Sequence, residues 1–204
     1  MLHKEILTKE QIELLPLIKS FSKDFGLVGG TAIALHIGHR RSIDFDLFTN
    51  KEFDNLSIRQ KITKFAKIEK VITDEKNQYT VIVNGVRLTF LHYPYPISFT
   101  KSFEKIIKMS DLLTLSAMRA YTLGRRVKWK DYVDLYFIMK DWCAFKKIIQ
   151  KAEKIFTSEF NEKIFRVQLS YYEDIDYTEK VIYIKNFETK NDVIKKFLTE
   201  KALI

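Results

Sequence analysis

Apolar side chains recur at helical spacing through Ile12, Leu14, Leu15, Leu17, Ile18 and Phe21, and Thr8 stands where an N-cap would, so residues 8–23 read as one amphipathic helix. The apolar run Phe25–Val28 meets Gly29-Gly30, a strand followed by a turn, and Thr31–Ile37 is compact and apolar enough for a short helix. Between Ile43 and Phe48 the period changes to two: Asp44 and Asp46 alternate with Phe45 and Leu47, which predicts a strand with both carboxylates on one face.

Ser57–Ala66 returns to helical periodicity. Lys70–Ile72, Tyr79–Val83 and Val86–His92 are rich in β-branched and aromatic residues, and Asn84-Gly85 between the last two is a two-residue hairpin signal. Tyr93-Pro94-Tyr95-Pro96 ends the sheet, because proline donates no ladder hydrogen bond. From Ser110 onward the pattern is mainly helical: Asp111–Gly124, Trp129–Asp141, Ala144–Phe156 and Phe160–Tyr171, then a strand-like Val181–Ile184 and a last helix near Asn191–Lys201. A boundary near Pro96–Thr100 divides the chain into an α/β half, residues 1–100, and a basic helical half, residues 101–204.

Composition narrows the class. With 204 residues, 46% hydrophobic and 30% charged, and only six glycines and three prolines, the chain can bury a core and is neither disordered nor collagen-like. The single cysteine, Cys143, excludes an intramolecular disulfide and reads as a buried small hydrophobe beside Trp142. No stretch approaches the roughly 18 uncharged apolar residues of a membrane span, and Glu5, Glu10 and Glu13 do not suit a signal peptide, so no membrane association and a cytoplasmic location are expected.

The formal charge of +9 is uneven. Lys101, Lys105, Lys108, Arg119, Arg125, Arg126, Lys128 and Lys130 face only Glu104 and Asp111, so residues 101–130 hold +6 of it. Such clustering suits phosphate-bearing ligands, nucleotides or RNA, and a solvated helix face would give the same count.

Gly29-Gly30 lets the backbone pass close to a ligand, and the helix it opens presents unpaired N–H groups and a positive dipole end to phosphate, with the Thr31 hydroxyl beside them. Asp44 and Asp46 form a hard oxygen site of the kind Mg²⁺ prefers. Thirteen residues, 31–43, separate the two features. This spacing fits the Gly-Gly or Gly-Ser followed by Asp-x-Asp that marks the DNA polymerase β-like nucleotidyltransferase superfamily.

More narrowly, Leu27-Val28-Gly29-Gly30-Thr31-Ala32-Ile33-Ala34-Leu35 with Arg41-Ser42-Ile43-Asp44-Phe45-Asp46 resembles the AbiEii/AbiGii nucleotidyltransferases, many of which are toxin halves of abortive-infection and toxin-antitoxin pairs. Ala117-Met118-Arg119-Ala120-Tyr121-Thr122-Leu123-Gly124-Arg125-Arg126, followed by Trp129-Lys130-Asp131-Tyr132-Val133-Asp134, resembles the same family's helical motif. The resemblance implies an α+β fold, a small mixed β-sheet core with helices followed by a helical C-terminal half. It also implies transfer of a nucleotidyl group from an NTP such as ATP, with Mg²⁺ (or Mn²⁺), to an RNA, tRNA foremost, or to a protein hydroxyl. A cognate antitoxin is the implied protein partner.

On this reading Asp44 and Asp46 hold the metal, and Gly29, Gly30 and Thr31 seat phosphates. Lys130 and Asp131, with Asp134 as the alternative aspartate, supply the helical motif's catalytic groups, or Asp131 pairs with Lys128 or Arg125 and merely fastens two helices. Arg119 stands where relatives carry a lysine expected to touch triphosphate or acceptor. Arg41 binds phosphate or braces the loop, and Ser42 hydrogen-bonds the strand entrance. His36 and His39 read as loop or core histidines, and Tyr93, Tyr95, Trp129 and Tyr132 as core aromatics. Many superfamily members carry a third carboxylate on a later strand. Val86–His92 has none, Arg87 and Thr89 being its nearest polar groups, so a catalytically degenerate nucleotide- or partner-binding protein is the alternative reading.

Overall fold

Thr8 accepts from the Gln11 N–H at 3.3 Å while the Gln11 side chain accepts from the Thr8 N–H at 3.0 Å. This capping box starts α1 (Lys9–Glu13) in the computed structural model, which describes residues 2–123 and 125–203. The expected continuous helix over 8–23 is broken: α2 (Leu15–Ser20) begins after Leu14. Pro16 has no N–H to offer the Ile12 carbonyl, so the helical ladder cannot run through it.

The chain forms two compact units, Met1–His36 with Arg41–Asp111 and Ile37–Arg40 with Leu112–Ile204. The first holds β1 (Gly26–Val28), α3 (Gly29–Ile37, whose last residue belongs to the second unit), β2 (Phe45–Thr49), α4 (Asn55–Thr63), β3 (Ile68–Glu75), β4 (Gln78–Val83), β5 (Val86–His92), β6 (Lys101–Phe103) and β7 (Ile107–Met109). The strands make one mixed sheet, ordered β3-β4-β5-β2-β1-β7-β6. β2 runs parallel to β5 and β1 parallel to β7, and the other pairs are antiparallel.

Alternation decides which face each residue takes. Phe45 and Leu47 on β2 and Leu88 and Phe90 on β5 are fully buried, whereas Asp46, Phe48, Arg87 and Thr89 are half-buried on the other face. Asn84 and Gly85 both have positive φ, 51° and 68°, the conformation a tight β4–β5 hairpin turn requires. The strands β6 and β7 were not expected from the pattern: three residues each are too few to establish a period, and both expose lysines.

The second unit contains α5 (Leu112–Leu123), α6 (Trp129–Asp141), α7 (Phe145–Phe156), α8 (Glu162–Ser170) and α9 (Asn191–Leu203). Ile148, Ile149, Ala152, Ile155 and Phe156 form the buried stripe of α7, and Tyr121 of α5 stacks on Phe156 with ring centroids 3.9 Å apart. The strand expected at Val181–Ile184 is reduced to one isolated bridge between Tyr183 and Arg40. Cys143 is half-buried rather than buried, and Trp142 beside it, the C-cap of α6, is 57% exposed. Gly124, the expected end of α5, lies outside the described residues. Among the described residues no helix is long and apolar enough to cross a membrane.

Candidate active site

β1 delivers the chain to Gly29, whose φ of +71° opens α3. The antiparallel register sets Val28 opposite Asp46, and a Cβ on Gly29 would overlap the Asp46 carboxylate. Both the backbone conformation and the close approach therefore call for glycine here. Gly30 follows, half-buried, in the first turn of α3.

Thr31 is 1% exposed, and its hydroxyl donates to the main-chain carbonyl of Asp44, with the Ser42 carbonyl 3.4 Å away. The hydroxyl expected to face phosphate is thus occupied by the segment that carries the aspartates. Arg41 Nη1 donates to the Leu7 carbonyl at 3.5 Å, a bracing contact, and Ser42 takes part in the Thr31 contact through its main chain. Asp44 itself precedes β2 by one residue, 24% exposed, and Arg87 Nη2 donates to its Oδ2.

Two carboxylates, one against a bare Cα and the other with its main chain held by Thr31, suit a small hard cation that takes few protein ligands and completes its shell with water and phosphate oxygens. Among the described residues there is no group of three or more His, Cys, Asp and Glu side chains placed to hold a metal ion.

The helical motif is a buried chain of ion pairs in the second unit. Asp134, fully buried, accepts from His39 Nε2 at 2.8 Å, from Arg40 Nε at 2.7 Å and Nη2 at 2.8 Å, and from Arg119 Nη2 at 2.7 Å. Arg119 Nη1 also donates to Asp131, whose other oxygen accepts from Arg126 Nε at 3.1 Å. Neither aspartate is open to a metal unless these pairs break. The alternative pairing of Asp131, with Lys128 or Arg125, is not the one formed. Lys128 and Lys130 both pair with Glu179, Lys130 at 3.1 Å, and Arg125 pairs with Glu159 at 3.3 Å.

Burial pushes the Asp134 carboxyl up, but Arg40 and Arg119, with hydrogen bonds from His39 and Arg40, outweigh it and hold the group far below the usual carboxylate range. Burial lowers His39 against the pull of Asp134, so His39 is neutral, with Nε2–H donating and Nδ1 lacking a hydrogen-bond partner. Hydrogen bonds from Lys128 and Lys130 draw Glu179 down to about 2.

Five of the eight basic residues in 101–130 are therefore paired with acids. Two of those acids, Asp131 and Asp134, lie just past the stretch, and Glu159 and Glu179 lie well beyond it, so counting charge along the chain overstated the available positive surface. Lys101, Lys105 and Lys108 are exposed. Trp129 and Tyr132 are core aromatics as read, and His39 is a core histidine. Two participants were missed. Arg40 is 2% exposed, and nothing in its local sequence announces a buried arginine. Arg87 meets Asp44 only through the β2–β5 register, which no sequence period specifies.

Residues 17–110 match the family described as nucleotidyl transferase AbiEii toxin, type IV TA system. The uncharacterized protein aq_aa25 of Aquifex aeolicus is 32% identical over 174 residues, covering 82% of this chain and 84% of that one. In fold, the chain is similar to JHP933 from Helicobacter pylori, with a TM-score of 0.64 at 14% identity over 97% of this chain and 92% of that one. It is also similar to the nucleotidyltransferase toxin MenT4 of Mycobacterium tuberculosis, with a TM-score of 0.62 at 10% identity over 95% and 81%. The glycine turn and paired aspartates lie inside the matched segment, and on these grounds the chain belongs to the AbiEii nucleotidyltransferase toxin family.

Proposed function

We propose that the protein transfers a nucleotidyl group from an NTP to a hydroxyl of an RNA, tRNA-like in the first instance, or of a protein, in a Mg²⁺- or Mn²⁺-dependent reaction, as the toxin of a toxin-antitoxin pair. The observation that carries this reading is the use of Gly29 and Thr31: one gives up a side chain to seat Asp46, the other commits a buried hydroxyl to the Asp44 main chain. A strand, turn and helix built around two carboxylates is what an oxygen-ligated cation needs.

In the reaction the acceptor oxygen bonds to the α-phosphorus in line with the bond to the departing pyrophosphate, and charge builds on the phosphate oxygens. The Mg²⁺ held by Asp44 and Asp46 would neutralise that charge and lower the pKa of the acceptor hydroxyl. The first-turn N–H groups of α3, at Gly29, Gly30 and Thr31, have no intrahelical partners and suit the β- and γ-phosphates. Arg119 holds Asp131 and Asp134 together within the second unit.

The test is label transfer from each of the four NTPs to total tRNA or to lysate protein with Mg²⁺, repeated with Asp44→Ala and Asp46→Ala. Each substitution is expected to lower transfer by about 10²-fold or more, the scale of losing a preorganised electrostatic group. Wild-type rates in both variants would sink the assignment. A second reading, nucleotide or partner binding without turnover, draws on the Arg87 guanidinium seated on Asp44. It predicts NTP binding by calorimetry with no transfer to either acceptor.

A further inference from the structure

The parallel register of β2 and β5 sets Phe45 beside Leu88 and Asp46 beside Thr89, so one step earlier on each strand brings Asp44 to Arg87, and their side chains meet. Alternation leaves Asp46, Arg87 and Thr89 on the same half-buried sheet face. The pair is open to solvent, Arg87 40% and Asp44 24% exposed, and an ion pair that accessible adds little to folding stability. Its stronger effect falls on Asp44 itself. A guanidinium already occupies Oδ2, and a divalent cation must either take that oxygen from it or bind with a positive charge a few ångströms away.

We propose that Arg87 is a competing counter-ion for Asp44, which makes metal binding depend on nucleotide: a divalent cation alone binds weakly, and a cation arriving with NTP binds tightly because the phosphates accept the displaced guanidinium. The proposal rests on the reading of Asp44 as a metal-holding residue. Arginine suits the exchange, since its planar fork matches carboxylate and phosphate alike. Arg87 is also placed to move without disturbing the core, because β5 buries its neighbours Val86 and Leu88 on the opposite face.

The experiment measures Mn²⁺ affinity, counting free ion by electron paramagnetic resonance, with and without α,β-methylene-ATP. The chains compared are wild type, Arg87→Gln, Arg87→Met, Arg87→Lys and Asp44→Asn, each checked for an unchanged unfolding temperature. The two charge-free variants are expected to bind Mn²⁺ alone about tenfold more tightly than wild type. The gain in Mn²⁺ affinity on adding the nucleotide analogue, large in wild type, shrinks in both. Arg87→Lys keeps the charge and stays within about threefold of wild type, and Asp44→Asn abolishes binding. Equal or weaker Mn²⁺ binding by folded Arg87→Gln and Arg87→Met, with Asp44→Asn still abolishing it, overturns the role of Arg87 alone. Mn²⁺ binding that survives Asp44→Asn overturns the metal reading and this proposal together.

Discussion

Gly29 and Thr31 show how small residues can decide a site. Gly29→Ala forces a side chain into φ +71° and against the Asp46 carboxylate, so it is expected to cost about 1–3 kcal/mol of stability. Nucleotidyl transfer should fall further than that loss accounts for, because Asp46 must shift. Wild-type transfer by folded Gly29→Ala would show that the place of Asp46 is immaterial. Thr31→Val keeps the shape and removes the donor to Asp44, with an expected cost of about 1–2 kcal/mol in chemical denaturation, and Thr31→Ser should recover most of it. The glycine turn and the two aspartates were legible in the sequence because each lies in one short segment whose spacing survives folding. The destination of the Thr31 hydroxyl was not, since a threonine at a helix start suits a phosphate and a neighbouring carbonyl equally well. Arg87 was harder still: its partner is 43 residues away and is chosen by strand register.

Between elements, the strongest electrostatic feature is the clamp of α5 and α6, where Arg119 grips Asp131 and Asp134 while Arg40 and His39 close on Asp134. Asp134→Asn leaves two buried guanidinium groups short of their counter-charge and is expected to cost about 3–5 kcal/mol in unfolding free energy. The clamp also sets an acid profile. His39 is held neutral by burial, and the unfolded chain takes up its proton below about pH 6.5, so stability falls from there downward, with His36, also lowered by burial, adding to the slope. Asp134 is held far below its unfolded value, so its contribution is complete above about pH 4 and lost as pH falls further. The unfolding temperature should therefore decline gently below about pH 6.5 and steeply below about pH 4, and His39→Gln should flatten the first part. A wild-type unfolding temperature that stays level from neutral pH down to about 5 would contradict the buried neutral histidine. Helices α7 and α8 were readable because an amphipathic stripe carries its own period, whereas α5 and α6 are buried on nearly every side. The clamp was not, because its arginines and aspartates look, one by one, like surface charge.

Over the whole molecule, the formal charge of +9 is what attracts a polyanion from a distance, and its useful part is smaller than the sequence count. Arg119, Arg125, Arg126, Lys128 and Lys130 are tied to carboxylates, Arg125 and Arg126 while half exposed, which leaves Lys101 on β6, Lys108 on β7 and Lys105 in the turn between them as the exposed cations of the basic stretch with no ion pair among the described residues. If the acceptor is RNA, those three lysines are where its phosphates can displace counterions along the basic stretch, and each such contact steepens the fall of log affinity with log salt by about 0.7–0.9. Binding of tRNA to the Asp44→Ala protein, followed by fluorescence anisotropy over a series of KCl concentrations, gives that slope without turnover. Changing Lys101, Lys105 and Lys108 together to Gln is expected to reduce it by about 2. Arg125→Gln should leave it nearly unchanged, because Arg125 already has Glu159 as its counter-ion. An unaltered slope in the triple variant would remove the β6–β7 hairpin from the RNA contact. No tRNA binding at low salt, together with label transfer to protein, would move the acceptor to a protein hydroxyl and leave the hairpin lysines as ordinary surface charge.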